Sequence, residues 1–510
     1  MEGLTYLLGI DVGTSSTKAV VIDEGGHVLA RSSSGYGIDS PKPGWAEQDP
    51  TVWWNATRSV VRTLIKDSGI DPHMISAVGF SGQMHGTVII GRDGKPLRPA
   101  IIWMDKRSLK QCDEIYRRLG RRDVLKVTCN PIMPGFMAPT LLWIKENEPR
   151  NLKGAFKVLP PKDYVRLKMT GSVATDPSDA SATLLFDVKA RRWSEYLTSE
   201  LGLPHELLPP INESTEVAGG VTEEASKETG LPEGTPVITG GGDSQVGAIG
   251  CGAIKPGVVS SNIGTGGQIF STIEEARVDP NYRVHLFCHA VPGRWCLQGA
   301  ILSAGLSLRW FMDNLAQPER IVGTLCNIDP YKILSEEAET AEPGCRGLIF
   351  LPYLIGERSP HMDPQAKGVL YGLTIEHRRA HLIRSVMEGV TYALRDCLEV
   401  FRELGVEVRR VITRGGGARS RLWRRIQASV FGVEVVRVNV EEEAAFGAAL
   451  LAGVGAGVYK NLDEACERTI RILDREEPDA DEVRVYEDYY RNVYRRLYPS
   501  LKPIWSEHPS

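Results

Sequence analysis

Short apolar runs separated by polar, glycine-containing turns form the start of the chain. The runs Tyr6–Ile10, Ala19–Ile22 and His27–Arg31 predict three strands, and the turns between them are short enough for an antiparallel meander. Apolar positions recur with helical spacing over Pro50–Asp67, and Ile75–Phe80 has the continuous apolar character of a buried strand. This mixture of strands and helices predicts an α/β fold.

The same opening pattern returns in the second half of the chain. A helix-like stretch, Ser244–Ala253, is followed by a break at Lys255–Gly257. A strand, a turn rich in glycine and threonine, and a second strand then occupy Gly257–Ser271. The repeated opening indicates a duplicated supersecondary unit, with one copy in each half. We therefore predict two domains, at residues 1–253 and 254–510.

The overall composition narrows the class of protein. A chain of 510 residues, with 42% apolar and 24% charged residues, is too long for one hydrophobic core and is typical of a globular protein with two large domains. The net charge is −4 and the sequence contains no basic block, so neither nucleic acid nor a membrane surface is an expected partner. The nine cysteines are scattered without a CxxC pair, which favours a reducing compartment, the cytoplasm, over a disulfide framework or zinc ribbon.

Several other segments lead to structural expectations. Ala444–Tyr459 is the most apolar stretch, but it is too short to span a bilayer easily and predicts a buried helix. Trp53 and Trp54 lie on an amphipathic helix and are expected in the core. Asp481–Tyr498 predicts a terminal helix followed by a loose end. Met1 leads almost at once into the first strand without a basic leader, so no signal peptide is expected.

The turn after the first strand has the composition of a phosphate-binding loop. Backbone N–H groups and hydroxyls in such a concavity can face an anion. Asp11, at the end of the strand, could hold Mg²⁺ through water, because hard carboxylate oxygen suits that ion. A plain hairpin turn explains the same segment equally well. The candidate phosphate-binding residues in the turn are Gly13, Thr14, Ser15, Ser16 and Lys18.

A second and a third glycine turn strengthen the phosphate hypothesis. The second turn could face the first across a cleft, so that the two clamp the β- and γ-phosphates of a nucleotide. The third lies between a predicted strand, Val408–Thr413, and a predicted helix, Leu422–Phe431, where backbone and a helix N-terminus approach a ligand. We expect the adenosine end there. The candidate residues are Gly264, Thr265 and Gly266 in the second turn and Gly416 and Gly417 in the third.

Other phosphate-binding systems do not match the sequence. The Gly94-Lys95 pair is followed by Pro96, so a Walker A loop is not present. A His-Arg-Asp catalytic loop of the protein-kinase type is also missing from the sequence.

Asp243 is the candidate general base. It follows the strand Val237–Thr239 and three glycines, which let a ligand approach the backbone closely, and it begins a predicted helix. A helix N-terminus stabilises a charged carboxylate, which is the state that a base needs. An N-cap aspartate would occupy the same position. Phosphoryl transfer needs a carboxylate to accept the hydroxyl proton, together with donors and Mg²⁺ on the phosphates.

Together these segments resemble the FGGY family of carbohydrate kinases over about residues 6 to 455. The most specific stretches are Gly368–Leu373 and, seven residues later, His381–Glu388. The resemblance implies two actin-like (ribonuclease H-like) ATPase domains around a central cleft, with sugar mainly on the first and ATP mainly on the second. It also implies Asp243 as the general base, with Asp11 and Asp243 at the Mg²⁺ site.

Within the family, Ser81–Gly86 is most similar to the sugar-binding segment of the kinases that act on D-xylulose. Those enzymes usually carry Asn where this chain has Ser244, and that neighbour of the base can touch the sugar. His85 taken alone is more typical of a structural histidine, and Asp105 could either border the sugar or pair with Arg107. The substrate-binding residues that the resemblance implies are Gln83, Met84, His85, Asp105 and Ser244.

Several alternatives stay open from the sequence. D-ribulose, gluconate or glycerol could replace D-xylulose as the acceptor. A sugar-sensing regulator without turnover, or a nucleotide-driven chaperone or filament, would share the fold. Retention of Asp11, Thr265 and Asp243 argues against the regulator, and the sugar segment around His85 argues against the chaperone. The expected partner is a small sugar, and the choice between monomer and homodimer is open.

Overall fold

The computed structural model describes residues 5–507. In chain order its strands are β1 Tyr6–Val12, β2 Ser16–Asp23, β3 Val28–Gly35, β4 Glu47–Gln48, β5 Ile75–Gly82, β6 Val88–Ile90, β7 Ala100–Ile101, β8 Lys157–Leu159, β9 Phe186–Asp187, β10 Arg192–Trp193, β11 Val217–Gly220, β12 Pro236–Ile238, β13 Gly241–Gly242, β14 Val258–Ile263, β15 Gly267–Ile273, β16 His285–Cys288, β17 Trp295–Ile301, β18 Ile349–Leu351, β19 Val369–Tyr371, β20 Arg410–Arg414, β21 Glu434–Val438 and β22 Ile472–Glu476.

The helices lie between these strands and after the last of them. In chain order they are α1 Pro50–Ser68, α2 Leu109–Leu119, α3 Arg121–Thr128, α4 Met137–Asn147, α5 Pro149–Gly154, α6 Pro161–Thr170, α7 Pro177–Ser181, α8 Glu195–Leu201, α9 Glu223–Thr229, α10 Asp243–Cys251, α11 Gly305–Leu315, α12 Gln317–Cys326, α13 Pro330–Glu339, α14 Arg379–Glu403, α15 Arg421–Phe431, α16 Glu443–Gly455, α17 Leu462–Thr469, α18 Ala480–Tyr489 and α19 Arg495–Glu507.

Two seven-stranded sheets organise the molecule, and each opens with the predicted antiparallel hairpin. The first has the order β11-β12-β5-β1-β2-β3, with β13 paired to β5. The second has the order β16-β17-β15-β14-β20-β21-β22. In each sheet the first strand pairs antiparallel with the second and parallel with a strand on its other side, β5 for β1 and β20 for β14. The predicted duplication of the opening unit is therefore present in the structure.

Helix α16 lies against the first sheet, although it follows most of the second sheet in sequence. Backbone meets backbone at this contact. A Cβ atom on Gly9 of β1 or on Gly79 of β5 would come 1.9 Å from a carbonyl oxygen of α16. Helix α10 approaches α16 as closely, because a Cβ atom on Gly250 would lie 1.8 Å from another of its carbonyl oxygens. The predicted buried helix is confirmed, and glycine is required at these positions because any side chain would overlap the backbone of α16.

The core contains the residues that periodicity predicts. Trp53 and Trp54 are 0% and 6% exposed on α1, which confirms that they are core residues. Within residues 5–507 every helix is too short or too polar to cross a membrane.

The end of the chain differs from the prediction. The terminal helix does not end at Tyr498, since α19 continues to Glu507 after a π-helical turn at Tyr490–Tyr494. Trp505 explains the extension, because it is only 6% exposed and packs against the rings of Tyr353 and Tyr498. The prediction of a loose end directly after Tyr498 is wrong. Residues 508–510 of the predicted loose end lie outside the described residues. Residues 1–4, at the start of the chain where no signal peptide was expected, lie outside them as well.

Candidate active site

The ends of three parallel strands bring the two candidate carboxylates together. In the register of the first sheet, Asp11 of β1 and Gly241 of β13 both pair with Ser81 of β5. Asp243 comes one residue after the end of β13 and begins α10. Because the carboxyl ends of these strands lie at one edge of the sheet, Asp11 and Asp243 are close to each other at that edge. The hydroxyl of Ser81 donates a 2.8 Å hydrogen bond to Oδ1 of Asp11.

The two carboxylates affect each other's ionisation. Burial, and then the negative charge of Asp11, raises the pKa of Asp243 to about 7. Burial raises the pKa of Asp11 to about 6, against the lowering effect of the hydrogen bond from Ser81. A divalent cation beside them would favour the charged form of both. Mg²⁺ commonly takes one or two protein carboxylates and completes its shell with water and phosphate oxygens, so this donor set fits that ion.

Asp243, the candidate base, is connected to the second glycine turn through the residue that follows it. Gly242 holds the N-cap position of α10, so Asp243 is not the N-cap residue itself. The hydroxyl of Ser244 lies 3.3 Å from Oδ1 of Asp243 and accepts a 3.2 Å hydrogen bond from the amide of Gln268. Gln268 is the second residue of β15, directly after the second turn. Ser244 therefore bridges Asp243 and the strand that follows this turn.

Hydrogen bonds in the first turn engage its carbonyl oxygens and leave two of its backbone N–H groups without a partner among the described residues. Tyr36 donates to the carbonyl oxygen of Gly13 through its hydroxyl, at 2.6 Å, and to that of Ser15 through its backbone N–H, at 3.0 Å. Gln48 donates to the carbonyl oxygen of Thr14 at 2.8 Å. The backbone N–H groups of Thr14 and Ser15 make no hydrogen bond within the part of the chain that the structure describes. This arrangement fits a phosphate-binding turn, which needs N–H groups that are free to face an anion.

The remaining residues of the first turn differ in position. Ser16 opens β2 opposite Gly35, and its carbonyl oxygen closes the turn by accepting the N–H of Gly13 at 3.1 Å. Lys18 has a partner outside the turn. Its Nζ lies 2.7 Å from Oε2 of Glu442, at the start of α16. Although burial lowers the pKa of Lys18, the bond to Glu442 raises it overall, so the lysine is charged but already paired.

The second turn, Gly264–Gly266, is built in the same way. The carbonyl oxygen of Thr265 accepts the N–H groups of Ala304 and Leu306 at 3.1 and 3.0 Å. The carbonyl oxygen of Gly264 accepts the N–H of Gly305 at 2.8 Å. Both acceptor groups are thus directed to the start of α11. At Gly266 a side chain is excluded, because its Cβ atom would lie 2.9 Å from the carbonyl oxygen of Ile301.

The third turn lies beside the second and shares a cavity with it. Strands β14 and β20 are parallel, with Asn262 opposite Arg414, so the turns that follow them are neighbours. A Cβ atom on Gly417 would come 2.6 Å from Cβ of Ile263. The cavity has a volume of about 740 Å³, within the usual range for small-molecule sites. Its lining includes Gly264, Thr265, Gly416, Gly417, Tyr331 and Trp423.

His85 is a neutral histidine whose Nε2 can act as a hydrogen-bond acceptor. Its Nδ1 donates to the carbonyl oxygen of Ala182 at 2.9 Å, and its ring stacks on Phe136 at a centroid distance of 3.7 Å. Burial lowers the pKa of His85 to about 3, so the ring is neutral. Because Nδ1 carries the proton, Nε2 is an acceptor. Met84 lies against the base segment, residues 239–242 directly before Asp243, since a Cβ atom on Gly242 would come 2.8 Å from Cγ of Met84.

Two predicted sugar residues have other partners in the structure. Gln83 is 1% exposed and donates to Oε1 of Gln48 at 3.0 Å, so it supports the first turn. Asp105 is also 1% exposed, and its oxygens accept from the backbone N–H of Ala46 and from Nε and Nη2 of Arg107. The geometry therefore favours the ion pair between Asp105 and Arg107 over a sugar contact.

Three residues near the site were missed from the sequence. Nε1 of Trp103 donates to the hydroxyl of Thr14 at 3.0 Å, and Nη2 of Arg309 donates to the hydroxyl of Thr265 at 3.0 Å. Nη2 of Arg358 lies 3.0 Å from Nε2 of His285 and donates to it, and the guanidinium group has no carboxylate partner within residues 5–507. No spacing rule identifies Trp103 or Arg309, because each reaches its turn from a distant segment. For Arg358 the signal was its place beside Glu357 in a charged pair within an apolar segment.

Similarities to known proteins agree with this geometry. Residues 6–250 match the N-terminal domain of the FGGY family of carbohydrate kinases, and residues 259–456 match its C-terminal domain. The xylulose kinase of Escherichia coli (strain K12) is 38% identical over 499 residues, which cover 98% of this chain and 99% of the relative. The gluconokinase of Bacillus subtilis (strain 168) is 33% identical over 485 residues, covering 94% and 93%.

A solved structure extends the similarity to three dimensions. The crystal structure of xylulose kinase from Rhodospirillum rubrum has a TM-score of 0.91 to this chain at 30% identity, covering 98% of this chain and 100% of the other. This likeness confirms the predicted fold class of two actin-like, ribonuclease H-like domains. The matches over nearly the full length also confirm the resemblance inferred from the motifs, and the chain belongs to the FGGY family of carbohydrate kinases.

Proposed function

We propose that this protein transfers the γ-phosphate of ATP to the 5-hydroxyl of D-xylulose, with Mg²⁺ as the metal and Asp243 as the general base. The relatives named xylulose kinase support D-xylulose as the acceptor. The single observation that carries the chemistry is the position of Asp243. It lies beside Asp11 at the ends of β13 and β1, and it is linked through Ser244 to Gln268 after the second turn.

Each side chain has a distinct task in the proposed reaction. The neutral ring of His85 accepts a hydrogen bond from a sugar hydroxyl through Nε2, while Met84 packs beside the base segment and limits the space for the acceptor. Asp243 takes the proton of the attacking hydroxyl as its oxygen bonds to the γ-phosphorus, while the bond from that phosphorus to the bridging oxygen breaks and ADP leaves. The carboxylate needs to be ionised for this task, and the hydroxyl of Ser244 lies 3.3 Å from its Oδ1.

The two turns and the metal stabilise the transferred group. The N–H groups of Thr14 and Ser15 and the turn around Thr265 provide donors for the phosphate oxygens. Asp11 and Asp243 would hold Mg²⁺, which neutralises charge on the phosphates when it is bound. We further propose that the cleft closes on the sugar, because water must be kept from the γ-phosphate. Gly416 and Gly417 line the cavity that is proposed for the adenosine end.

The organisation of the chain and its location remain part of the proposal. The first sheet ends at Gly242 and the second begins at Val258, which supports a division at residues 253 and 254. All nine cysteines are free thiols, in agreement with a reducing compartment such as the cytoplasm. A homodimer is tested by light scattering of the purified protein.

The test of the proposed function is ADP release in a coupled assay with Mg-ATP. D-xylulose is compared with D-ribulose, gluconate, glycerol and a reaction without acceptor, and Asp243→Asn serves as the matched inactive control. We expect strong stimulation by D-xylulose only. Stimulation by another acceptor alone would overturn the substrate, and no stimulation by any acceptor would favour a regulator without turnover.

Gluconate is a second candidate acceptor, and Arg358 is the observation that favours it. The guanidinium group has no carboxylate partner within the described residues, and burial lowers its pKa to about 10. It belongs to the same aromatic surroundings as His85, because Phe136 stacks on both His85 and His285 and the latter accepts from Arg358. An unpaired cation suits the carboxylate of a sugar acid. Phosphorylation of gluconate that is lost in Arg358→Met would support this candidate.

A further inference from the structure

A buried group of charged side chains lies beneath the segment that carries Asp243. The side chains of Lys162, Asp163, Asp176 and Asp179 are completely excluded from solvent. Nζ of Lys162 lies 2.6 Å from Oδ1 of Asp163 and 2.9 Å from Oδ1 of Asp176. Oδ2 of Asp179 lies 3.1 Å from the same nitrogen. Desolvating such ions is costly, and a buried ion cluster is weak support for stability, so another role must be considered.

The cluster also contains Arg166, whose side chain is equally buried. Burial, reinforced by the carboxylates of Asp176 and Asp163 and opposed by the charge of Lys162, raises the pKa of Asp179 well above its ordinary value. Close ion pairs fix the side chains of this buried cluster, which can therefore hold backbone groups in fixed positions.

Two backbone groups of the base segment are attached to the cluster. Nη1 of Arg166 donates to the carbonyl oxygen of Thr239 at 2.8 Å. The N–H of Gly242, the residue before Asp243, donates to the hydroxyl of Ser178 at 2.9 Å. That hydroxyl in turn donates to Oδ2 of Asp176. The segment is thus held at both of its ends.

The same support reaches the sugar side of the site. Asp176 is the N-cap of α7, where its Oδ2 accepts the N–H of Ser178 at 2.8 Å. One turn later, the carbonyl oxygen of Ala182 accepts the hydrogen bond from Nδ1 of His85. Helix α7 therefore fixes the group proposed to bind the sugar and the segment proposed to carry the base. A shift of this short helix would change the distance between the two.

We propose that Lys162, Asp176 and Ser178 are positioning residues, which hold the N–H of Gly242 and thereby set the Asp243 carboxylate against the acceptor hydroxyl. The inference rests on the proposed function of Asp243 as general base. Its effect is on the geometry of the reacting groups and not on the affinity for either substrate. Loss of the support should therefore lower kcat more than it raises KM, because misplacement by about 1 Å can cost roughly a hundredfold in rate.

The primary variant is Ser178→Ala, which deletes the acceptor of the Gly242 N–H and leaves the ion pairs in place. Its matched control is Ser181→Ala, in the same helix, whose hydroxyl accepts the N–H of Cys288 at 3.0 Å. Steady-state kinetics with D-xylulose and ATP should give a kcat about 10- to 100-fold lower for Ser178→Ala, with both KM values within about threefold of the wild type. The control should stay within about twofold in kcat.

Two outcomes would overturn the inference. A kcat near that of the wild type in Ser178→Ala would show that the bond does not position the base. An equal loss in Ser181→Ala would show that α7 has merely been loosened. If circular dichroism shows that Ser178→Ala is not folded, the isosteric Asp176→Asn is judged by the same criteria. Asp243→Asn separates the two proposals, because activity in that variant contradicts the proposed base whatever the result at Ser178.

Discussion

The hydroxyl of Ser81 donates a 2.8 Å hydrogen bond to Oδ1 of Asp11, across the parallel register of β5 and β1. The bond opposes the rise in the pKa of Asp11 that burial causes. It therefore helps to keep a carboxylate charged at the place where Mg²⁺ is proposed to bind.

Replacing Ser81 with Ala should weaken the response to Mg²⁺. Without the hydroxyl, the pKa of Asp11 rises further and the carboxylate competes less well against a proton. We expect the Mg²⁺ concentration for half-maximal ADP release to increase about three- to tenfold, and more at pH about 6 than at pH about 8. The matched control is Ser261→Ala, which deletes another strand hydroxyl, bonded to Gln427 at 3.0 Å. Equal Mg²⁺ requirements in wild type and Ser81→Ala would contradict the prediction.

Asp243→Asn should abolish most turnover and retain sugar binding. Asparagine keeps the size of the side chain but cannot accept the hydroxyl proton. We expect kcat to fall by about 10³-fold or more, while the Kd for D-xylulose from calorimetry stays within about threefold. Nearly normal turnover would mean that another group is the base.

The acidic limb of the pH profile should depend on Mg²⁺. Burial and Asp11 raise the pKa of Asp243 to about 7, and the reaction needs the ionised form, so kcat/KM falls as the pH drops through this pKa. A cation beside the carboxylates favours their charged form and moves the midpoint to lower pH. Profiles of ADP release at low and at saturating Mg²⁺ measure this shift. An acidic limb that does not move would argue against a metal at Asp11 and Asp243.

Gly417→Ala should affect the nucleotide only. The new Cβ atom would lie 2.6 Å from Cβ of Ile263, so the third turn must move. We expect KM for ATP to rise about tenfold with an unchanged Kd for D-xylulose. Gly37→Ala is the control, because a Cβ atom there has nothing within 4 Å. A rise in the sugar Kd of equal size would indicate general unfolding instead.

Glu357 should make the protein less stable as the pH rises. Oε1 accepts the N–H groups of Leu302 and Arg358, whereas Oε2 is buried without a partner among the described residues. Burial raises the pKa of Glu357 from its ordinary 4.5 to about 8. Its favourable contribution is complete below pH about 4.5 and is lost as the pH rises to about 8, because the unfolded chain releases the proton first.

Glu357→Gln removes this titration and tests the sign. Relative to the wild type, the free energy of unfolding of the variant should increase between pH about 5 and about 8.5, by a few kcal/mol. Urea unfolding midpoints at both pH values measure it. A difference that stays constant with pH would mean that Glu357 is ionised in the native state.

The sequence predicted the parts of the site that depend on local chain pattern. The turns after β1 and β14 and the carboxylate after three glycines are visible because a strand, a glycine turn and a polar residue occur together in one segment. The contacts of individual side chains were harder to predict from the sequence. Lys18 pairs with Glu442, and Gln83 supports the first turn. Both depend on contacts between segments far apart in the chain.

Buried charge was the other feature that local pattern could not reveal. Asp105 and Arg107 are two residues apart, and the pair could have faced the sugar or each other. Only the burial of both side chains, at 0% and 1% exposure, decides for the ion pair. Likewise, Lys162 and Asp176 belong to different segments, and their contact beneath Gly242 requires the folded chain.

The close packing of α16 against Gly9, Gly79 and Gly250 affects how chimaeric proteins can be designed. Substrate preference could be exchanged between relatives by joining the first half of one to the second half of another. With a junction between residues 253 and 254, α16 would come from one parent and the three glycines on which it packs would come from the other. A hybrid should therefore take residues 443–455 from the same parent as the first half. Two further crossovers are then needed, one before α16 and one after it.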